Sequence, residues 1–210
     1  MNSQITLEGD LIRLEPLELR HLDALVAAAN VERSIYEWSI VPPSVEQMRE
    51  YIETAIAWRE AGTAIPFVSV RKRDGVVLGS TRFFEIEEWR WPKGHERHGR
   101  SLPDACEIGY TWLRSDALRT GANSEAKLLM LTHAFDQWGA LRVCFHTDIR
   151  NERSRRAIER LGARFEGVLR AHRIAADGSP RDSCRYSILL HEWPLLKRHA
   201  LAEQSRIAQK

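Results

Sequence analysis

Glu107-Ile-Gly-Tyr-Thr-Trp-Leu113, then Arg119-Thr-Gly-Ala-Asn-Ser124, then Glu125 to Trp138 and Leu141 to Thr147, decide how this chain folds. In the first piece Ile108, Tyr110 and Trp112 alternate with Glu107, Gly109 and Thr111, the period of a strand. Arg119 to Ser124 is a small turn rich in backbone donors. Leu128, Leu131, Phe135 and Trp138 then recur at helical spacing on one face. Asn123 or Ser124 can cap that helix, and Gly139 ends it. Leu141, Val143 and Phe145 share one side of a further strand. Asn151-Glu-Arg-Ser154 opens a short helix whose end Gly162 suits. A strand that passes through a glycine turn into a helix N-terminus presents unpaired N–H groups and a positive dipole end, a fitting seat for a phosphate. A plain strand-to-helix connection has the same appearance.

Outward from this centre the pattern continues. Ile5 to Leu14 holds two short strand pieces around Gly9-Asp10. Leu17 to Asn30 carries a helical stripe of Leu19, Leu22, Leu25, Val26 and Ala29. Ser44-Val-Glu-Gln47 is a capping box that opens a second helix ending near Gly62. Phe67–Lys72 and Val76–Ile86 form a hairpin across Asp74-Gly75, with a bend at Gly79. Residues 88–100 fit neither period and form a long loop. A last hairpin, Arg164–Ile174 with Ser183–Leu190, turns at Asp177-Gly178. Hairpins mixed with strand–helix units predict one α/β (α+β) domain over residues 1–195, and a helical or frayed tail over 196–210.

The chain has 210 residues, 43% hydrophobic and 29% charged, with net charge +2. That is the composition of a globular protein with one sizeable core. So small a net charge gives no argument for nucleic acid. Cys106, Cys144 and Cys184 sit within strands, as small apolar residues of a reducing compartment do. The sequence carries no signal peptide and no membrane-spanning run, which predicts a cytoplasmic protein. His95 and His98 have ligand-like spacing but no third ligand, so no metal is expected.

The order of elements and the quoted motifs, together with Leu161-Gly-Ala163, Phe165-Glu-Gly167, Arg181-Asp182 and Tyr186-Ser187, resemble the GCN5-related N-acetyltransferases (GNAT), in particular the RimJ/RimL-like branch. The resemblance covers Leu7 to about Trp193. It implies a mixed, mostly antiparallel sheet that splays in its middle, with helices on both faces, and acetyl-CoA as acyl donor. By the same resemblance, Arg119, Thr120, Gly121, Ala122, Asn123 and Ser124 hold the pyrophosphate. Leu118 stands where the family places Arg or Gln, and Asn123 where it places a small residue; Arg119 can supply the charge. Trp112 and Leu113 line the gap for pantetheine, and Asn151 bonds the pantetheine arm. Arg153, Arg155 and Arg156 can meet the 3′-phosphate of CoA, with a solvated helix face as the alternative for at least one of them.

The chemistry implied is acetylation of a primary amine, on a protein N-terminus or a small molecule, in a ternary complex. Glu107 is the expected general base, through a water, and Ser154 the proton donor to the leaving thiolate. For Glu107 a strand-edge ion pair with Arg stays open. For Asn151 and Ser154 a capping role is compatible with cofactor contact. His172 and Asp182 are weaker candidates for the base. Tyr36, Trp38, Trp89 and Trp91 are expected around the acceptor, with the 88–100 loop serving either the acceptor or a homodimer contact. A non-catalytic CoA-binding module on the same fold is the alternative.

Overall fold

Alternating runs become strands and 3.6-periodic runs become helices in the computed structural model, which describes residues 4–208. In chain order these are β1 Leu7–Glu8, β2 Ile12–Pro16, α1 Leu22–Ala29, α2 Val45–Glu60, β3 Ala64–Arg71, β4 Val77–Glu87 and β5 Ala105–Leu113. They are followed by α3 Ala122–Thr132, β6 Arg142–Asp148, α4 Glu152–Arg160, β7 Arg164–Ile174, β8 Pro180–Leu189 and α5 Trp193–Ala208. The sheet runs β1-β2-β3-β4-β5-β6-β8-β7. Every neighbouring pair is antiparallel except β5 with β6. The architecture is a mixed, mostly antiparallel α/β sheet with helices on both faces.

Side chains pointing alternately up and down each strand create two apolar layers. Leu25, Met48 and Ile52 of α1 and α2 pack with Val68, Val70 and Trp112 on one face. Leu128, Met130 and Leu131 of α3 pack with Ile65, Phe67, Ile108 and Val143 on the other, joined by Ile158 and Trp193. Each such side chain removed from water is worth about 1.5–3 kcal/mol. Ser44 caps α2 by accepting the Gln47 amide at 3.2 Å.

Helix α3 departs from the sequence expectation at both ends. Its N-cap is Gly121, at φ +90°, so Asn123 and Ser124 lie inside the first turn and cap nothing. A left-handed residue is inexpensive only for glycine, and that overrides the cap preference of Asn and Ser. At the other end the helix widens into a five-residue π turn, His133–Gln137. This one-residue adjustment keeps Phe135 and Trp138 buried alongside Leu128 and Leu131.

Strand β5 carries the irregularity that matters most. Ser80 pairs with Trp112 but Arg82 pairs with Gly109, so β5 holds one extra residue there. Tyr110 sits at φ +51° in this bulge. The extra residue exchanges the faces: Ile108 packs under α3, whereas Trp112 packs under α1 and α2. Opposite the bulge, Gly79 is required by close approach, since a Cβ there would lie 2.0 Å from the Trp112 carbonyl oxygen.

Candidate active site

The parallel β5–β6 pairing spans only Ala105–Arg142, Cys106–Val143 and Glu107–Cys144. β5 continues to Leu113 and β6 to Asp148, so beyond Glu107 the two strands part and leave backbone groups of both facing a gap. A stepped bulge on one bank and a straight strand on the other cannot keep a common ladder.

Three contacts span the ends of this gap. The Tyr36 hydroxyl donates to the Leu113 carbonyl at 3.0 Å, on the β5 bank. Arg153, in the first turn of α4 beyond β6, donates to the Ile35 carbonyl at 2.8 Å. The Arg150 guanidinium lies 4.3 Å over the Trp38 ring. The aromatic segment between α1 and α2 is thus a bridge across the splay. Tyr36 is buried in it and edge-on to Trp112, while Trp38 is half-buried beside the end of β6.

At the broad end of β5 lies the donor-rich loop. Arg119 adopts φ +62° and Gly121 φ +90°, two left-handed residues flanking Thr120. Such alternation turns successive N–H groups inward into an anion-binding hollow. The first helical N–H to find a backbone acceptor is that of Glu125, on the Gly121 carbonyl. The Ala122 amide donates to the Thr120 hydroxyl at 3.4 Å, and the amides of Asn123 and Ser124 face out of the helix end. Thr120 donates to the Ala117 carbonyl, which closes the loop. Arg119 is exposed, and Leu118 packs against the α3 core layer.

At α4, Asn151 is the N-cap: its side-chain oxygen accepts the Ser154 amide at 3.0 Å. This leaves its NH2 group as a donor. Ser154 is half-buried at the third helical position. Arg155 is committed within the fold, to the Tyr186 hydroxyl and the Ile149 carbonyl. Arg156 pairs with Glu152.

Glu107 stands at the fork itself, 3% exposed. One carboxylate oxygen contacts Nδ1 of His146, and the other has no partner among the described residues. Burial pushes the Glu107 carboxyl up to about 8, the Glu85 carboxylate adds to this, and Arg173, Arg185 and Arg181 oppose it. Burial, then Arg173 and Arg181, lowers the His146 imidazole to about 4. At neutral pH the proton between the two therefore rests on the carboxyl side, and the imidazole is neutral. His172 of β7 stacks on His146 at 4.5 Å. Asp182 is spent on the Ala171 amide, where it secures an irregular β7–β8 pairing.

On its other side Glu107 lines a cavity of about 420 Å³, with Trp89, Glu85, Glu87, Cys144 and Arg185 among the walls. Trp89 comes from the 88–100 loop. Trp91 instead turns into the loop, stacking on His95 at 4.2 Å. The whole loop is tied to Asp104, which accepts from the Trp89 amide, the Trp91 ring N–H and Arg97.

Sequence reasoning missed His146. Cys144, His146 and Asp148 alternate with Val143, Phe145 and Thr147, which already places His146 on the side of the sheet where Glu107 projects. It also missed Arg82 and Lys127. Lys127 of α3 is buried beneath the bulge, donating to Thr111 at 2.6 Å. Among the described residues there is no group of three His, Cys, Asp or Glu side chains fit to hold a metal, and no helix is long and apolar enough to cross a membrane.

Residues 12–164 match the family model of the acetyltransferase (GNAT) domain. A GCN5-related N-acetyltransferase from Brucella melitensis is 29% identical over 95% of this chain and 85% of that chain, with a TM-score of 0.81. A T. thermophilus protein assigned as an acetyltransferase is 35% identical over 94% of this chain and 96% of its own, with a TM-score of 0.76. Mycobacterium smegmatis RimJ, solved in complex with CoA-disulfide, shares the fold at 21% identity and a TM-score of 0.77, over 97% and 96% of the two chains. No curated protein matches.

Proposed function

This chain belongs to the GNAT acetyltransferases, and from that membership we propose that it moves an acetyl group from acetyl-CoA to a primary amine, on a protein N-terminus or a small molecule, by direct attack in a ternary complex. The observation that carries the proposal is the fork: β5 and β6 separate immediately after the Glu107–Cys144 pair, and the buried Glu107 there keeps one oxygen unpaired among the described residues.

The acyl donor supplies a thioester activated for transfer. The residues present fit it, since the hollow at Arg119–Ser124 and the outward amides of Asn123 and Ser124 suit a pyrophosphate. Main-chain groups of Trp112 and Leu113 and the Asn151 side-chain NH2 would line the pantetheine path. An N–H of the parted β5 backbone would polarise the carbonyl oxygen. Arg119 brings the charge that Leu118 lacks, whereas Arg155 holds α4 to β8 and contributes to phosphate only from that fixed position.

Glu107 acts as the general base. A free α-amine has a pKa near 8 and a lysine near 10.4, so the attacking nitrogen must give up a proton. A carboxylate titrating at about 8 is matched to that task near neutral pH. His146 takes up the hydrogen bond as the carboxyl changes state. Ser154, whose hydroxyl is uncommitted among the described residues, delivers the proton to the leaving sulfur. Trp38 and Trp89 flank the acceptor's approach from opposite ends of the site.

The test is thioester cleavage measured against a library of amines, with Glu107→Gln and Ser154→Ala as controls. Acetylated amine in wild type, with both variants impaired, is the expected result. Unchanged turnover in both variants would remove the assigned roles. A second reading, a CoA-binding module without turnover, draws on Leu118, which packs into the core where the family loop has a polar side chain. Thermal stabilisation by CoA with no product from any amine would favour it.

A further inference from the structure

Arg82 is buried to 1% exposure in the middle of β4. A charge so placed normally has a carboxylate beside it, because desolvation without a partner is costly. Here no acid lies within ion-pair distance among the described residues, and Nε and Nη2 have no hydrogen-bond partner. Instead the guanidinium is enclosed by three aromatic rings, at 4.3 Å from Tyr110, 4.7 Å from Tyr51 and 5.3 Å from Trp58. Ring faces offset part of the charge's cost but accept no N–H bond in the guanidinium plane. The cage holds the cation and leaves its forked donors open.

Its position gives that opening a purpose. Arg82 pairs across the ladder with Gly109, and Phe84 with Glu107. Arg82 and Glu107 therefore project from the same face, one two-residue step apart, about 7 Å along the strands. Gly109 puts no side chain between them; the Phe84 ring occupies the space above it. Tyr110 roofs the cage at the bulge and is 38% exposed, so the roof is the side of the cage that meets solvent.

We propose that Arg82 is the receptor for a carboxylate carried by the acceptor, so that the substrates are amino carboxylates whose amine lies at Glu107 while their anion lies in the Tyr51–Trp58–Tyr110 cage. This rests on the transferase reading above and narrows its acceptor class. A planar fork bonds a carboxylate through two parallel N–H···O contacts, which an ammonium would not reproduce. Tyr110 swings aside to admit the anion.

The experiment compares a ladder of amino carboxylates, from α-amino acids to 6-aminohexanoate, with the corresponding amides. Acetyl transfer and ligand-induced thermal shift are both measured, in wild type, Arg82→Met and Arg82→Lys. Wild type should favour the carboxylate over its amide on the order of 100-fold in kcat/KM at the best chain length. Arg82→Met should bring that ratio near one, and Arg82→Lys should restore only part of it. Arg82→Met fills the cage with apolar volume, so its melting temperature should match or exceed that of wild type; a purely structural arginine would lower it. Equal use of acid and amide by wild type, with no carboxylate-dependent thermal shift, overturns the proposal. A carboxylate-dependent shift that vanishes in Arg82→Met, without acetylation of any amine, supports the receptor and refutes the transferase reading.

Discussion

At the scale of single residues, two buried titratable groups on opposite faces of β5 make opposite demands. Glu107 must lose its proton to act as a base, and burial holds that event at about 8. The active form therefore grows as pH rises, and kcat/KM for an acceptor should climb through pH 8 and then level. Glu107→Gln should remove that limb and lower the rate by roughly 10²–10⁴-fold. A pH–rate profile on one amine with a pKa well below 8 separates this limb from titration of the acceptor. The same shift destabilises the fold as pH rises. The folded carboxyl keeps its proton up to about 8 and the unfolded one only to about 4.5, so the folded state binds more protons in that window. Lys127 behaves oppositely. Burial lowers its pKa from 10.5 to about 7, so between those values the unfolded chain binds more protons and stability rises with pH. The full shift corresponds to about 5 kcal/mol against the folded state below pH 7. Thr81 and Thr111 bond each other at 2.8 Å without the lysine. Lys127→Met should therefore raise unfolding stability at pH 6 and give a smaller gain at pH 10; chemical denaturation at the two pH values measures it. An equal gain at both would mean the ammonium is not desolvated.

At the scale of elements, α3 is set in place by one carboxylate. Glu125 accepts the amides of Asp10, Leu11 and Ile12 at 2.8–2.9 Å, joining the first turn of the helix to the β1–β2 turn. Gly9 belongs to this arrangement, since a Cβ there would lie 2.5 Å from the Glu125 carboxylate. Glu125→Ala should lower unfolding stability by about 3 kcal/mol, the cost of several turn amides losing their acceptor. It should also weaken CoA binding, because the Arg119–Ser124 hollow rides on the same turn; urea unfolding and calorimetric titration read the two effects. None of this is visible in the sequence, where Glu125 reads as an ordinary acidic first-turn residue. The strands and helices were legible because their burial follows their period: Ile108, Val143, Leu128 and Leu131 all point where alternation or 3.6 spacing sends them. The start of α3 was not, because Asn and Ser advertise a cap that a left-handed Gly121 fills. The site was half legible. Glu107 stands out as an acid within an apolar strand. His146 and Arg82 do not, since a strand's polar face reads as solvent-facing until α2, β7 and the bulge at Tyr110 cover it.

At the scale of the whole molecule, the fork needs firm supports on each side, for a gap between strands removes ladder bonds from the centre of the sheet. One support is the Tyr36–Leu113 and Arg153–Ile35 bridge. The other is α5, which docks on α3 from the far end of the chain. Trp193 stacks on Phe135 at 5.3 Å and donates its ring N–H to Asp136 at 2.7 Å. Lys197 pairs with the same carboxylate. Leu196 presses on Gly162, where a Cβ would meet its methyl at 2.3 Å. Asp136 lies in the π turn, so the widened helix end is the surface that α5 grips. Trp193→Ala removes a large buried ring and leaves Asp136 with one partner fewer. The expected loss is about 3–5 kcal/mol, together with weaker CoA binding as α3 loosens. Trp193→Phe keeps the stack and loses only the ring N–H, and should cost about 1 kcal/mol. Lys197→Ala, a half-exposed ion pair, should cost under about 1 kcal/mol. If denaturant titration finds all three variants alike, α5 does not brace α3, and the fork must be held from the bridge side alone.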